Sequence, residues 1–115
     1  MNLKKYFRVK YYKEISNSKV KLQSVPAYAD GVHHLFVVTV ENKEAFVKHL
    51  ADNDINAAYH YPVPCHLQKA YSFLGHKEGD FPNAEYLAAH CVSLPMYAEL
   101  DESQVDRVIR TINTY

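Results

Sequence analysis

The stretch His34-Leu-Phe-Val-Val-Thr-Val-Glu-Asn-Lys-Glu-Ala-Phe-Val-Lys-His-Leu-Ala-Asp-Asn-Asp-Ile55 sets the fold. From His34 to Val40 it is nearly all apolar and rich in β-branched residues, which predicts a central strand buried on both faces. Asn42 then supplies a side-chain oxygen for the free amides of a first helical turn, so a helix is expected through Asn53. Phe46, Val47 and Leu50 form its buried face. Asn53-Asp54 ends it, and Ile55 to Tyr61 reads as the next strand, stopped by Pro62 and Pro64, neither of which donates a backbone hydrogen bond.

Outward from there the same alternation continues. Leu67, Ala70, Tyr71 and Leu74 recur at helical spacing, with Gly75 placed for a left-handed cap. Ala84, Leu87, Ala88 and Cys91 repeat that spacing after a polar loop, and Val92-Ser93-Leu94 is a short strand closed by Pro95. In the last helix Asp101 and Gln104 form a capping box ahead of the stripe Val105, Val108, Ile109 and Ile112. Toward the N-terminus, Val20 and Leu22 mark a short edge strand within a loop. Residues 3 to about 16 predict a helix whose apolar side chains (Leu3, Tyr6, Phe7, Val9, Tyr11, Tyr12, Ile15) spread around its circumference. Either lysine stems lie over the aromatics, or the helix packs against a second body.

Strands alternating with helices in 115 residues predict a single domain, since domains cluster at about 100–150 residues. The fold class expected is α/β (α+β), a two-layer sandwich with a small sheet covered by helices on one face. Basic and acidic residues are equal at 13 each, so the net charge of zero draws the chain to neither nucleic acid nor membrane. Cys65 and Cys91 show neither zinc spacing nor a disulfide framework, which suits a reducing cytosol. No apolar run approaches the ~20 residues of a membrane span. A cytoplasmic globule is expected.

Candidate chemistry gathers at Tyr59–Gly75. His66 opens the predicted helix, where free amides and a partial positive charge favour an anion. A zinc set drawn from His60, Cys65, His66, His90 and Cys91 is the rival reading, and the spacing does not support it. A Cys65–His66 nucleophile is weaker still, because sequence neighbours seldom hold attack geometry. Asp80 and Glu85 flank a helix start and read as capping and structural. On the residues alone, the plainer reading has His60 as a satisfied sheet histidine, Tyr61 as a core-edge aromatic and His66 as an ordinary helix-start residue.

Several motifs recur together in order: His34-Leu35-Phe36-Val37-Val38, Asn53-Asp54-Ile55, His60-Tyr61-Pro62-Val63-Pro64-Cys65-His66, Gln68-Lys69-Ala70-Tyr71, Gly79-Asp80-Phe81-Pro82-Asn83-Ala84-Glu85 and Ser93-Leu94-Pro95-Met96. The chain thereby resembles the C-terminal small domain of the DegT/DnrJ/EryC1/StrS family of pyridoxal-phosphate-dependent nucleotide-sugar aminotransferases. The resemblance implies the small-domain fold of fold type I aminotransferases, with residues 1–16 as an interdomain-type helix and 17–115 as the small α/β domain. It places His66 in the active-site cleft and His60 and Tyr61 near a nucleotide-sugar. The Schiff-base lysine, the pyridine-nitrogen partner and the phosphate cup belong to a large domain whose segments this sequence does not contain. No catalytic, cofactor-binding or metal-binding residue is therefore expected in this chain, and no cofactor for it alone. The expected partners are a nucleotide-sugar and either a large-domain chain or a second copy. The alternative is a free-standing, non-catalytic module that binds a nucleotide-sugar or protein, or an inactive remnant. Two departures stand out: Asp54 where the family usually has Gly, and Thr39 and Lys43 where it often has arginines.

Overall fold

The computed structural model describes residues 3–115. Residues 1 and 2, part of the expected 1–16 helix, lie outside the described residues. The elements run α1 (Leu3–Glu14), β1 (Val20–Leu22), β2 (Phe36–Val40), α2 (Lys43–Ala51), α3 (Pro82–His90), β3 (Cys91–Leu94) and α4 (Glu102–Asn113). The strands form one antiparallel sheet in the order β1-β2-β3, so the apolar run is indeed the central strand. Its register sets Val38 opposite Leu22 on one side and Val92 on the other.

Alternation decides which side chains of β2 are buried. Phe36, Val38 and Val40 enter the core, while Val37 and Thr39 are only half-buried on the other face. The expectation of a strand buried on both faces is therefore corrected for β2. It applies to β3, where every residue is buried. The reason is the distribution of helices. Phe7 and Tyr11 of α1, Phe46 and Leu50 of α2, and Val105, Val108, Ile109 and Ile112 of α4 join the Phe36/Val38/Val40 face in one cluster. On the second face Val37 and Thr39 line an open groove of about 480 Å³, with Leu22 and with Tyr86 and Leu87 of α3.

Local chemistry accounts for the helix ends. Asn42 Oδ1 accepts from Ala45 N at 3.0 Å. Asp101 Oδ1 accepts from Gln104 N while Gln104 Oε1 accepts from Asp101 N, which closes the capping box. Asp54 takes φ +56°, the left-handed turn that ends the α2 region and costs a side-chain residue roughly 1 kcal/mol relative to glycine.

Phe7 and Tyr11 of α1, and Ile15 just beyond its end, repeat at i, i+4, i+8 and are buried. Tyr11 donates its hydroxyl to Pro95 O at 2.8 Å, and burial pushes that phenol well above its ordinary range. Lys10 reaches Asp106 and Glu102 on α4, and Arg8 reaches Asp30. Leu3, Tyr6 and Val9 remain exposed.

Two further expectations change. The strand Ile55–Tyr61 contracts to a single bridge, Ala58 with Ser93, because no other backbone group in that segment pairs with β3. The helix expected over Leu67–Leu74 is replaced by two 3-10 segments, Cys65–Leu67 and Lys69–Leu74, with Gln68 extended between them. Neither segment has a buried residue. Helices this short draw their stability from packing, and without it the tighter i to i+3 turn prevails. Cys91, expected on a helical stripe, instead opens β3.

Candidate functional site

The site is built by the excursion from Ala58 to His90, which leaves the edge of β3 and returns through α3 into the same strand. Ala58 and Ser93 exchange both backbone hydrogen bonds, at 3.1 and 2.8 Å, which pins the start of the excursion to the sheet. The His60–Tyr61 peptide is cis. Pro64 is extended, and Cys65 begins the first 3-10 turn. Gly75 and Gly79 both adopt positive φ, +74° and +92°, and fold the return loop toward Pro82, the first residue of α3.

His66 is nearly buried, its side chain 7% exposed, and its Nε2 lies 2.8 Å from Glu85 Oε1. Glu85 is itself held by backbone: Gly79 N donates to both carboxylate oxygens at 2.9 Å and Phe81 N to Oε1 at 3.3 Å. The Gly79 N–H first, then the His66 ring and the Phe81 N–H, hold the Glu85 carboxyl below the usual carboxylate range. The Phe81 ring stands edge-on to His66 at 4.9 Å and to His76 at 5.0 Å. His76 Nδ1 lies 3.5 Å from Asp80 Oδ2. This is a polar cluster with an aromatic lid, closed by a glycine turn.

His60 sits elsewhere. Its Nδ1 lies 2.9 Å from the Ser93 hydroxyl oxygen, and its backbone carbonyl accepts a weak bond from the Cys91 thiol. Together His60 and Ser93 line a cleft of about 400 Å³ between β3, the Pro95–Leu100 loop and α4, with Asp54 and Arg107 on the same wall. Tyr61 packs edge-on against His60 at 5.3 Å and is largely exposed. Strand pairing has ended at Ala58, so alternation does not force these two side chains to opposite faces. The three residues singled out from the sequence thus divide into a His60–Tyr61 pair and a separate His66 cluster.

The other readings of this stretch fare differently. His60, His66 and His90 face Ser93, Glu85 and Val40 O respectively, and among the described residues no three His, Cys, Asp or Glu side chains are grouped to hold a metal. His66 turns to Glu85 and not to its neighbour Cys65. The anion site expected at a helix start lapses with the helix, because 3-10 turns of three and six residues align too few amides. Glu85 is more than the cap its position suggests. It does accept the Phe81 amide, but its contact with His66 spans 19 residues of sequence. Gly79 ahead of Asp-Phe-Pro is the one local sign that the loop doubles back.

A wider feature surrounds these groups. Tyr61, Val63, Leu67, Tyr71, Phe73 and Leu74 are all exposed, as are Phe81, Tyr86 and Leu87 on the returning arm. Leu67, Tyr71 and Leu74 belong to the stripe that reads in sequence as a helix's buried face. None of the described residues covers it.

Comparison with known proteins adds an independent line. The model of the DegT/DnrJ/EryC1/StrS aminotransferase family matches residues 1–113. A dTDP-3-amino-3,6-dideoxy-alpha-D-galactopyranose transaminase from Aneurinibacillus thermoaerophilus is 38% identical over 105 residues, 91% of this chain and 28% of that protein. The crystal structure of S. venezuelae DesV, in complex with a ketimine intermediate, superposes with a TM-score of 0.92 at 31% identity, covering 96% of this chain and 30% of that one. Spr1654 from Streptococcus pneumoniae, in its PMP form, shares the fold, with a TM-score of 0.84 at 24% identity over 96% of this chain and 29% of that one. The chain therefore spans under a third of the length of the relatives it matches.

Proposed function

Since this chain belongs to the DegT/DnrJ/EryC1/StrS aminotransferase family, we propose that it is the C-terminal small domain of a nucleotide-sugar aminotransferase and forms one wall of the active-site cleft. The opposite wall comes from a large domain that carries the cofactor. The observation that carries this reading is the uncovered apolar surface of the 61–87 excursion, on a chain that matches under a third of its full-length relatives. Patches of contiguous apolar surface on soluble domains mark places where another body docks. The exposed Leu3, Tyr6 and Val9 on α1 fit the same reading, with α1 as the helix that leads from one domain to the other.

In this assignment His66 faces the cleft, and His60 with Tyr61 meets the nucleotide-sugar. The family's cofactor is pyridoxal phosphate, which supplies an electron sink for amino transfer when bound. The residues of this chain do not fit it. A Schiff-base amine is activated by an apolar pocket or a neighbouring cation, yet Lys10 is held by two carboxylates and its ammonium is pushed up. Lys43 donates to Ala88 O at 2.6 Å beneath the Tyr59 ring. Lys5, Lys13, Lys19, Lys21, Lys48, Lys69 and Lys77 are exposed, and Lys4 is half-buried on α1. No step is assigned to this chain through that cofactor.

What the chain's own residues do is shape and bind. His60 orients on Ser93, the Tyr61 phenol offers a donor and acceptor at the rim, and the apolar arm excludes water once a partner covers it. The partners proposed are a nucleotide-sugar and a large-domain chain. Among the described residues no helix is long and apolar enough to cross a membrane, and a cytoplasmic place is proposed with the biosynthetic role. Reconstitution with a family large domain tests the proposal: amino transfer to a nucleotide keto-sugar should require both pieces. Sugar binding by the chain with no gain from any large domain would favour the free-standing module instead.

A further inference from the structure

The His66 ring is gripped at Nε2 by a carboxylate that the loop backbone holds in place. Gly79 N and Phe81 N anchor Glu85 to the loop backbone, so the hydrogen bond at 2.8 Å positions the imidazole and not the carboxylate. An ionised carboxylate only accepts, so His66 Nε2 must be the nitrogen that carries the proton. The edge of Phe81, 4.9 Å away, limits rotation of the ring. The second nitrogen, Nδ1, has no hydrogen-bond partner among the described residues, and it is not among any fully buried unsatisfied atoms. It therefore keeps some access to its surroundings. The other titratable groups facing this ring are His76, at 6.5 Å between ring centroids, and Asp80 behind it.

We propose that Glu85 is a positioning residue for His66: it fixes the ring with Nε2 protonated and leaves Nδ1 as the atom offered to whatever enters the cleft. In the neutral ring Nδ1 carries a lone pair, so it accepts from a hydroxyl or an amine, the donor groups of a sugar. The ionised diphosphate linkage of a nucleotide-sugar has only acceptors to give and finds no partner there. This rests on the reading of His66 as a cleft residue and reverses the anion preference that the sequence implies for that position.

The test is nitrogen-resolved NMR of the labelled 115-residue chain at about pH 8, above the ordinary histidine range of about 6.5. The expected spectrum has a slowly exchanging proton on His66 Nε2 and an unprotonated Nδ1. Glu85→Gln, whose side-chain oxygen still accepts, should keep that ring proton protected. Glu85→Ala should lose the protection while backbone amide signals outside residues 76–90 stay in place. A neutral ring protonated at Nδ1 in the unmodified chain overturns the proposal, as does a ring proton equally protected in Glu85→Ala. If Glu85→Ala does not fold, the unmodified chain and Glu85→Gln decide the matter. Failure of reconstitution with a large domain, with this ring signature intact, would count against the functional reading and leave the positioning role standing.

Discussion

Lys10 Nζ lies 2.7 Å from Asp106 Oδ1, so the first and last helices of the chain are joined by charge as well as by the core. Glu102 Oε1 stands 2.9 Å from the same ammonium and also accepts from the Tyr6 hydroxyl. These contacts place Lys10 of α1 against the acidic Glu102 and Asp106 of α4. They also use the charges that a nucleic-acid surface would need to leave open.

The same contacts set a pH dependence. The Lys10 ammonium and then the Tyr6 hydroxyl hold Glu102 below the usual carboxylate range. Glu85, Asp101 and Asp30 are lowered as well, by Gly79 N–H, by the Ser103 hydroxyl and by Arg8 respectively. A carboxyl whose folded value is depressed adds stability above its unfolded value, about 4, and loses it as pH falls through the folded value. Lys10 is raised, so its share is complete below its unfolded value of about 10.4 and is lost only as pH rises through the folded one. Urea midpoints should therefore fall as pH drops below about 4. Glu102→Gln should reduce the acid-side slope, and an unchanged slope would contradict the assignment.

Asp54→Gly should stabilise the chain by about 0.5–1 kcal/mol, because glycine adopts φ > 0 without the Cβ clash. The change also removes the 3.3 Å contact with Arg107, but both side chains are largely exposed and Arg107 keeps its bond to Asn53 O. Such a surface pair is worth little. The readout is the urea denaturation midpoint at neutral pH.

Two leucines of similar sequence context should behave in opposite ways. Leu50→Ala empties a fully buried position and should cost about 2–5 kcal/mol. Leu74→Gln changes a residue that is 54% exposed and should alter the stability of the isolated chain by no more than about 0.5 kcal/mol. Equal losses in the two variants would mean that the 69–74 segment is packed, contrary to its exposure in the structure.

Which parts could be read from sequence follows from where their causes lie. The α4 stripe and its capping box are local: Asp101 meets Gln104 three residues on, and Val105, Val108, Ile109 and Ile112 repeat with the helix. The Asn42 cap is equally local. By contrast, Leu67, Ala70, Tyr71 and Leu74 have the spacing of a buried helical face, but spacing says nothing about whether a body exists to bury it. The Ile55–Tyr61 strand does not form for a related reason, since its ladder depends on what β3 can offer beyond Ser93. Within the candidate site, His66 draws notice from its motif, whereas its bond to Glu85 depends on two left-handed glycines across a loop. The pairing of His60 with Ser93, 33 residues apart, leaves no periodic signal at all.

Leu74→Gln should separate stability from association. The variant is expected to keep its fold and lose docking to a large domain, which sedimentation or a pull-down against that domain would read. Retained docking by Leu74→Gln combined with Phe73→Ser, a residue 80% exposed, would remove this arm from the interface.

The most direct measurement is amino transfer to a nucleotide keto-sugar, followed with pyridoxal phosphate present, for the chain alone, a family large domain alone, and the two combined. Activity is predicted only in the combination. Turnover by the 115-residue chain alone would contradict the small-domain assignment, because it would require this chain to supply the cofactor-holding lysine that its own contacts do not provide.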